Sequence, residues 1–235
     1  MEEIIGQASA QRAVKVAVAG GHNLLIVGPP GSGKTLLAQY ASELSGKKLY
    51  RPSFNFDFYH TPTSDIGFLD YLPYYNKAAL LEFLIVSDVQ LIATMEPCPC
   101  GWYLEPHHPC NCEPSQIRRW LNRLPSCILH RFEISITVPS VRASDVFTKY
   151  RRSEDNNLTT EKDSLQDMPH FAEIDLTEDA KKLLEYAMRD MYFTARQYNN
   201  ILRVGRTIAN MDRYVKIDNK HISEAIMYNN LEIMK

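Results

Sequence analysis

Residues Val27-Gly28-Pro29-Pro30-Gly31-Ser32-Gly33-Lys34-Thr35 lie between the apolar run Leu24-Leu25-Ile26 and the apolar stretch Leu36-Leu37-Ala38. That order places a complete phosphate-binding loop between a strand and a helix. The chemistry explains the residue types: the glycines let the backbone wrap an anion, Lys34 reaches the β and γ phosphates, and Thr35 supplies a hydroxyl for magnesium. The unpaired N–H groups and positive dipole end of the following helix add to the cradle. The segment predicts an α/β fold that binds a nucleoside triphosphate through Gly28, Pro29, Pro30, Gly31, Ser32, Gly33, Lys34 and Thr35.

The rest of the chain is consistent with such a fold. Gln7 to Ala19 reads as a buried helix stopped at Gly20-Gly21, Asn23 to Val27 as a strand, and Thr35 to Leu44 as a helix ending before Gly46. The short apolar runs Ile66 to Leu69, Val89 to Thr94 and Ile134 to Val138 read as buried strands, and Tyr74 to about Val86 as a helix. Strands alternating with helices predict a parallel sheet covered on both faces. We expect a five-stranded α/β core over residues 1–143, a charged linker over 144–172 with little that can be buried, and a helical domain over 173–235. In the last part, Leu176-Thr177-Glu178-Asp179 starts a helix, and Thr194-Ala195-Arg196-Gln197 has the form of a capping box. The helix after it lines up Tyr198, Ile201, Leu202, Gly205 and Ile208 on one face. A last helix is expected from about Asn219 to Leu231.

A net charge of −2 leaves no global footprint for nucleic acid. Locally, Arg118, Arg119, Arg123, Arg131, Arg142, Lys149, Arg151 and Arg152 face only Glu133 and Asp145 between Ser115 and Arg152, which reads either as a solvated face or as a basic surface. The start of the chain has no basic opening or apolar stretch of signal length, and no segment is apolar enough to span a bilayer, so a cytoplasmic protein without membrane association is expected. In that compartment the five cysteines stay reduced. Cys98-Pro99-Cys100 and Cys110-Asn111-Cys112 form two Cys-x-Cys pairs, whose four thiolates could close a structural zinc site or remain unligated thiols. His107 and His108 offer alternative ligands, and Cys127 stands apart as a core residue.

Several further segments resemble the AAA+ ATPases of the magnesium-chelatase-like type, in particular the ComM/YifB group. They are Ile5-Gly6-Gln7 and Ala19-Gly20-Gly21-His22-Asn23 before the phosphate loop, Pro97-Cys98-Pro99-Cys100-Gly101, Leu129-His130-Arg131-Phe132-Glu133, and Ala195-Arg196-Gln197-Tyr198 continuing through Ala209. The resemblance implies a P-loop NTPase (AAA+) parallel-sheet core with a C-terminal helical lid, ATP and Mg2+ as ligands, and assembly into a homo-oligomeric ring. Phe68-Leu69-Asp70 then looks like the end of the Walker B strand, with Asp70 organising magnesium through water. Arg131 corresponds to the arginine finger lent to a neighbouring subunit and Arg196 to the lid sensor of the γ-phosphate; read without the resemblance, both are exposed arginines. Ile4-Ile5-Gly6-Gln7 resembles the adenine-side pocket, hence ATP rather than GTP.

The chain departs from the family pattern in three places. The family follows the Walker B Asp with a Glu that polarises the attacking water, where this chain has Tyr71. Loss of a general base costs on the order of a hundredfold to ten-thousandfold in rate. Asp65 and Asp57 are the next carboxylates in sequence. At the γ-phosphate sensor position the family has Asn and this chain Glu96, which could serve as a displaced base, turn away, or coordinate metal or water. The chain is also short between motifs, where larger members carry inserts associated with gripping DNA. The expectation is an ATP-binding AAA+ protein with attenuated hydrolysis acting in DNA processing or macromolecular remodelling; the alternatives are a non-hydrolysing ATP-dependent scaffold and a nucleic-acid-binding adaptor.

Overall fold

A computed structural model describes residues 7–54, 65–86, 89–141, 169, 171, 173–191 and 193–229. The linker expected over 144–172 falls almost wholly outside the described residues, as do Ile4, Ile5, Gly6 and Asp57. Among the described residues, five parallel strands form one sheet: β1 (Leu24–Val27), β2 (Leu49–Tyr50), β3 (Ile66–Leu69), β4 (Leu91–Met95) and β5 (Ile134–Thr137). Their spatial order is β2-β3-β4-β1-β5. This is the parallel α/β sheet with a C-terminal helical part that the sequence led us to expect, in a P-loop AAA+ fold. Strand β1 lies inside the sheet, and all four of its residues are fully buried because helices cover both faces.

Odd and even residues of the strands feed two separate cores, as the strand period of two requires. Leu24 and Ile26 pack with α1 (Ala8–Gly20), α2 (Lys34–Ser45) and the C-terminal helices, whereas Leu25 and Val27 pack with Leu69, Leu80, Phe83 and Ile128 on the opposite face. Helix α1 ends where Gly21 takes a left-handed conformation (φ 63°), and α2 ends at Gly46 in the same way (φ 69°). The helix read from Tyr74 is instead a 3-10 turn, Leu72–Tyr74, followed by α3 (Lys77–Val86). The break lies at Asn76, whose side-chain oxygen accepts the N–H groups of Ala78 and Ala79 and so caps the new helix. Two short helices, α4 (Pro114–Leu121) and α5 (Ser126–Leu129), precede β5. Cys127 on α5 is exposed rather than part of the core, because this single turn turns Ile128 inward instead.

The C-terminal part contains α6 (Glu178–Asp190), α7 (Ala195–Met211) and α8 (Asn219–Tyr228). The capping box at Thr194 forms, with Thr194 Oγ1 accepting the Gln197 N–H and Gln197 Oε1 accepting the Thr194 N–H. Ile201, Leu202, Gly205 and Ile208 are buried along one face of α7, with Tyr198 half-buried. These helices dock on α1: Arg12 donates to Asp212 at 3.0 Å and to Glu224 at 3.1 Å, and Tyr228 donates to the same Glu224 oxygen at 2.7 Å. Within the helical part the buried Arg206 donates to the carbonyls of Val215 (2.6 Å) and Tyr214 (2.5 Å), an internal brace that nothing in the spacing of the sequence signals.

Candidate functional site

Because β3, β4 and β1 are neighbours, the residues that follow each strand emerge side by side at one edge of the sheet. The register pairs Val27 with Met95 and Leu69 with Ala93, which brings Gly28, Glu96 and Asp70 to the same end. Gly28 N–H donates to Met95 O at 3.2 Å and fixes the start of the phosphate loop against β4. The site therefore lies at the carboxyl ends of the strands, where open α/β sheets bind ligands.

The loop has the conformation an anion cradle needs. Gly31 (φ 73°) and Gly33 (φ 84°) occupy the left-handed region, and Gly28 has no room for a side chain, since a Cβ there would lie 2.5 Å from Val138 O. Lys34 folds back over its own loop, and its ammonium donates to Gly28 O at 2.9 Å and Pro29 O at 2.7 Å. Burial lowers the Lys34 pKa, opposed by the charges of Glu96 and Asp70. A phosphate would offset the hydration that burial takes from this lysine, and the N-terminus of α2 offers it N–H donors. Gln7 Nε2 donates to Ser32 O at 2.7 Å and pins the loop to the start of α1. Ser32 Oγ is buried without a hydrogen-bond partner among the described residues, and Thr35 follows at the half-buried start of the helix. The loop conformation and the donors fit a polyphosphate.

Asp70 sits immediately after β3, and its Oδ1 accepts the Thr94 hydroxyl at 2.5 Å. The same hydroxyl accepts the Tyr71 N–H at 3.2 Å. Tyr71 is in the left-handed region (φ 56°) and its ring, 45% exposed, turns edge-on toward Tyr74. Glu96, half-buried, follows β4; the Trp120 indole N–H donates to its carbonyl at 2.8 Å. Burial raises the Glu96 pKa and the nearby Lys34 opposes that rise. Sequence reasoning missed Thr94, whose hydroxyl orients two neighbours at once.

The two cysteine pairs come together. Sγ separations are 3.4 Å for Cys98–Cys100, 3.7 Å for Cys98–Cys110 and 3.6 Å for Cys100–Cys110, and all four Sγ atoms, with Cys112, lie within 4.8 Å of one another. A tetrahedral zinc with bonds of about 2.3 Å puts its sulfurs about 3.8 Å apart, so the donor set fits that ion. Burial pushes the Cys98 thiol up to about 12; at Cys100 burial acts in the same direction but is outweighed by the backbone N–H groups of Trp102 and Asn111, and its pKa falls to about 6. The histidines stand outside the cluster: His108 stacks on Trp102 with centroids 4.0 Å apart. The loop that carries the thiols rests on the phosphate loop, because a Cβ on Gly101 would lie 2.5 Å from Pro30 Cδ and 3.6 Å from Glu96 Cδ. Glu105 ties the same loop to the segment after β5 by accepting from Ser140 Oγ (2.8 Å) and Ser140 N–H (3.2 Å).

Arg131 and Arg196 are both exposed, and neither makes a hydrogen bond or ion pair to the phosphate loop among the described residues. Arg131 lies in the turn after α5, where its carbonyl accepts from Asn23 Nδ2 at 2.9 Å. Asn23 Oδ1 accepts the Leu91 N–H, and Glu133 bridges the Asn23 N–H to Arg203 on α7. The distant segments around Asn23, Arg131 and Arg203 thus meet in one place.

Comparison with known proteins agrees with this geometry. The family described as "Magnesium chelatase, subunit ChlI" matches residues 1–51 and 76–146, and its C-terminal counterpart matches residues 140–229. Residues 52–75, with Asp70 and Tyr71, lie outside the match. "Competence protein ComM" of Haemophilus influenzae is 29% identical over 97% of this chain and 59% of its own length. "Uncharacterized protein YifB" of Escherichia coli and its counterpart in Salmonella typhimurium are each 26% identical over 97% of this chain and 60% of theirs. The chain spans about three-fifths of the length of these curated relatives. It belongs to the magnesium-chelatase-like family and is a ComM/YifB-like member of it.

Proposed function

From this family membership and the site's geometry, we propose that the chain is an ATP-binding AAA+ module with attenuated hydrolysis that acts in DNA processing or macromolecular remodelling in the cytoplasm. The observation that carries the reading is the phosphate loop between β1 and α2, with the Lys34 ammonium held over it and Asp70 at the same end of the sheet, two strands away. Thr35 and Asp70 are the residues that would hold magnesium, which neutralises phosphate charge when bound. Residues 1–143 form the nucleotide-binding core, 144–172 a linker and 173–235 the lid in this reading. Arg196 closes the lid over the γ-phosphate, and Arg131 serves the site of a neighbouring subunit in a ring. The four thiols of Cys98, Cys100, Cys110 and Cys112 hold a structural zinc that stiffens the loop resting on Pro30.

Titration of the purified protein with ATP and GTP in the presence of magnesium, beside Lys34→Ala, tests the core of this reading. ATP binding that Lys34→Ala abolishes is the expected result. Binding that survives the substitution, or a preference for GTP, overturns it. No helix among the described residues is long and apolar enough to cross a membrane. DNA as a partner is tested by the salt dependence of binding, because phosphate contacts weaken steeply with salt. The rival scaffold reading, motivated by Tyr71, predicts ATP-dependent assembly with no turnover.

A further inference from the structure

We propose that Glu96 is the catalytic carboxylate of this chain: it receives the proton of the water that attacks the γ-phosphate. The inference rests on the ATP reading above. Hydrolysis of a bound triphosphate needs an acceptor within hydrogen-bond reach of that water. Among the described residues, Asp70 and Glu96 are the two carboxylates whose charges act on Lys34, and Glu96 acts the more strongly. Asp70 is engaged, its Oδ1 taking the Thr94 hydroxyl. The Glu96 carboxylate makes no hydrogen bond or ion pair among the described residues, although the side chain is half-buried.

Its mounting is rigid. Trp120 holds the Glu96 carbonyl at 2.8 Å, the buried Pro97 follows it, and the side chain's Cδ lies 3.6 Å from where a Cβ on Gly101 would stand, above Pro30 of the phosphate loop. Tyr71, the residue after Asp70, presents a phenol turned toward Tyr74 and offers no carboxylate. An unengaged acid therefore stands on a held backbone one strand from Asp70, at the end of β4 rather than β3. In the step, the water oxygen forms a bond to the γ-phosphorus while the bond from that phosphorus to the β,γ-bridging oxygen breaks. The electron pair of the broken bond leaves with ADP. The water's proton passes to Glu96 and from there to solvent, releasing inorganic phosphate.

The test is Glu96→Gln, which keeps size and removes the acceptor, with two readouts on the full chain: equilibrium binding of ATP with magnesium, and single-turnover conversion of labelled ATP to ADP. The expected result is wild-type turnover, with Glu96→Gln binding ATP within about threefold of wild type and converting it at least about a hundredfold more slowly. If Glu96→Gln does not fold, Glu96→Asp takes its place, with binding retained and conversion slowed about tenfold or more by the shorter reach. Turnover within threefold of wild type in the folded variant overturns the role of Glu96. Wild-type protein that binds ATP but does not convert it also overturns that role and leaves the binding reading standing. Wild-type protein that does not bind ATP overturns the binding reading itself, and this inference with it.

Discussion

The Thr94 hydroxyl donates to Asp70 Oδ1 at 2.5 Å and accepts the Tyr71 N–H at 3.2 Å, so one β4 side chain sets both residues that follow β3. Thr94→Val preserves shape and removes both bonds. The loss of these two part-buried hydrogen bonds is expected to cost about 1 kcal/mol in urea unfolding. The same change weakens the magnesium dependence of ATP binding, because Asp70 is no longer held in one orientation. Thr94→Ser keeps the hydroxyl and is expected to remain near wild type in both measurements; a serine variant as impaired as the valine one would locate the effect in packing instead.

Zinc analysis of protein purified without chelator is expected to give one ion per chain, and Cys110→Ser to abolish it. Since the cysteine loop bears on Pro30 through Gly101 and on the segment after β5 through Glu105, loss of the ion is felt at the nucleotide site. Each kcal/mol lost in a chain of this size lowers the melting temperature by about 2–4 °C, so the variant is expected to melt at a lower temperature than wild type. ATP affinity falls along with it. Protein without stoichiometric zinc, or a serine variant with unchanged melting, would remove the site.

Which parts of this were legible beforehand follows from length and period. The phosphate loop, its flanking elements and the Thr194 capping box carry local signals, and each appears where the residues place it. The edge strand Leu49–Tyr50 has two residues and shows no period. Cys127 was misplaced because a helix of one turn, Ser126–Leu129, is too short to display an inward face. Thr94 reads in sequence as ordinary β-branched filling of a buried strand. Only the pairing of β3 with β4 reveals what its hydroxyl faces, and pairing between distant strands leaves no mark in local sequence.

His22 joins the core to α7 by a 2.8 Å hydrogen bond to Thr207, and burial, with repulsion from Arg203, lowers its pKa to about 4. The unfolded chain takes up this proton near the ordinary value of about 6.5. Between the two values the unfolded state binds more protons, so stability is full above about 6.5 and falls as pH drops toward about 4. The loss from this one group is about 3 kcal/mol. Urea melts from pH 7 to pH 4 are expected to show that decline, and His22→Gln, which does not titrate, to flatten it. An equally steep decline in the variant would assign the effect to other groups.

Arg131 offers the most direct test of assembly, because its guanidinium is exposed and makes no hydrogen bond or ion pair within the chain to the phosphate loop among the described residues. Its backbone is held by Asn23, so Arg131→Ala should leave the melting temperature and ATP binding near wild type, as surface changes usually do. If the side chain completes a neighbour's site, turnover falls by about a thousandfold. Asp70→Asn, which spoils a subunit's own site, is expected to be inactive as well. Mixing the two dead variants discriminates the arrangements: in a head-to-tail ring an intact site on an Arg131→Ala subunit can meet an intact arginine on an Asp70→Asn neighbour. With random mixing of equal amounts, about a quarter of the interfaces are complete, and turnover should return toward that fraction of wild type. An arginine serving its own subunit permits no such recovery, and a mixture as inactive as its components would end the case for a finger supplied in trans.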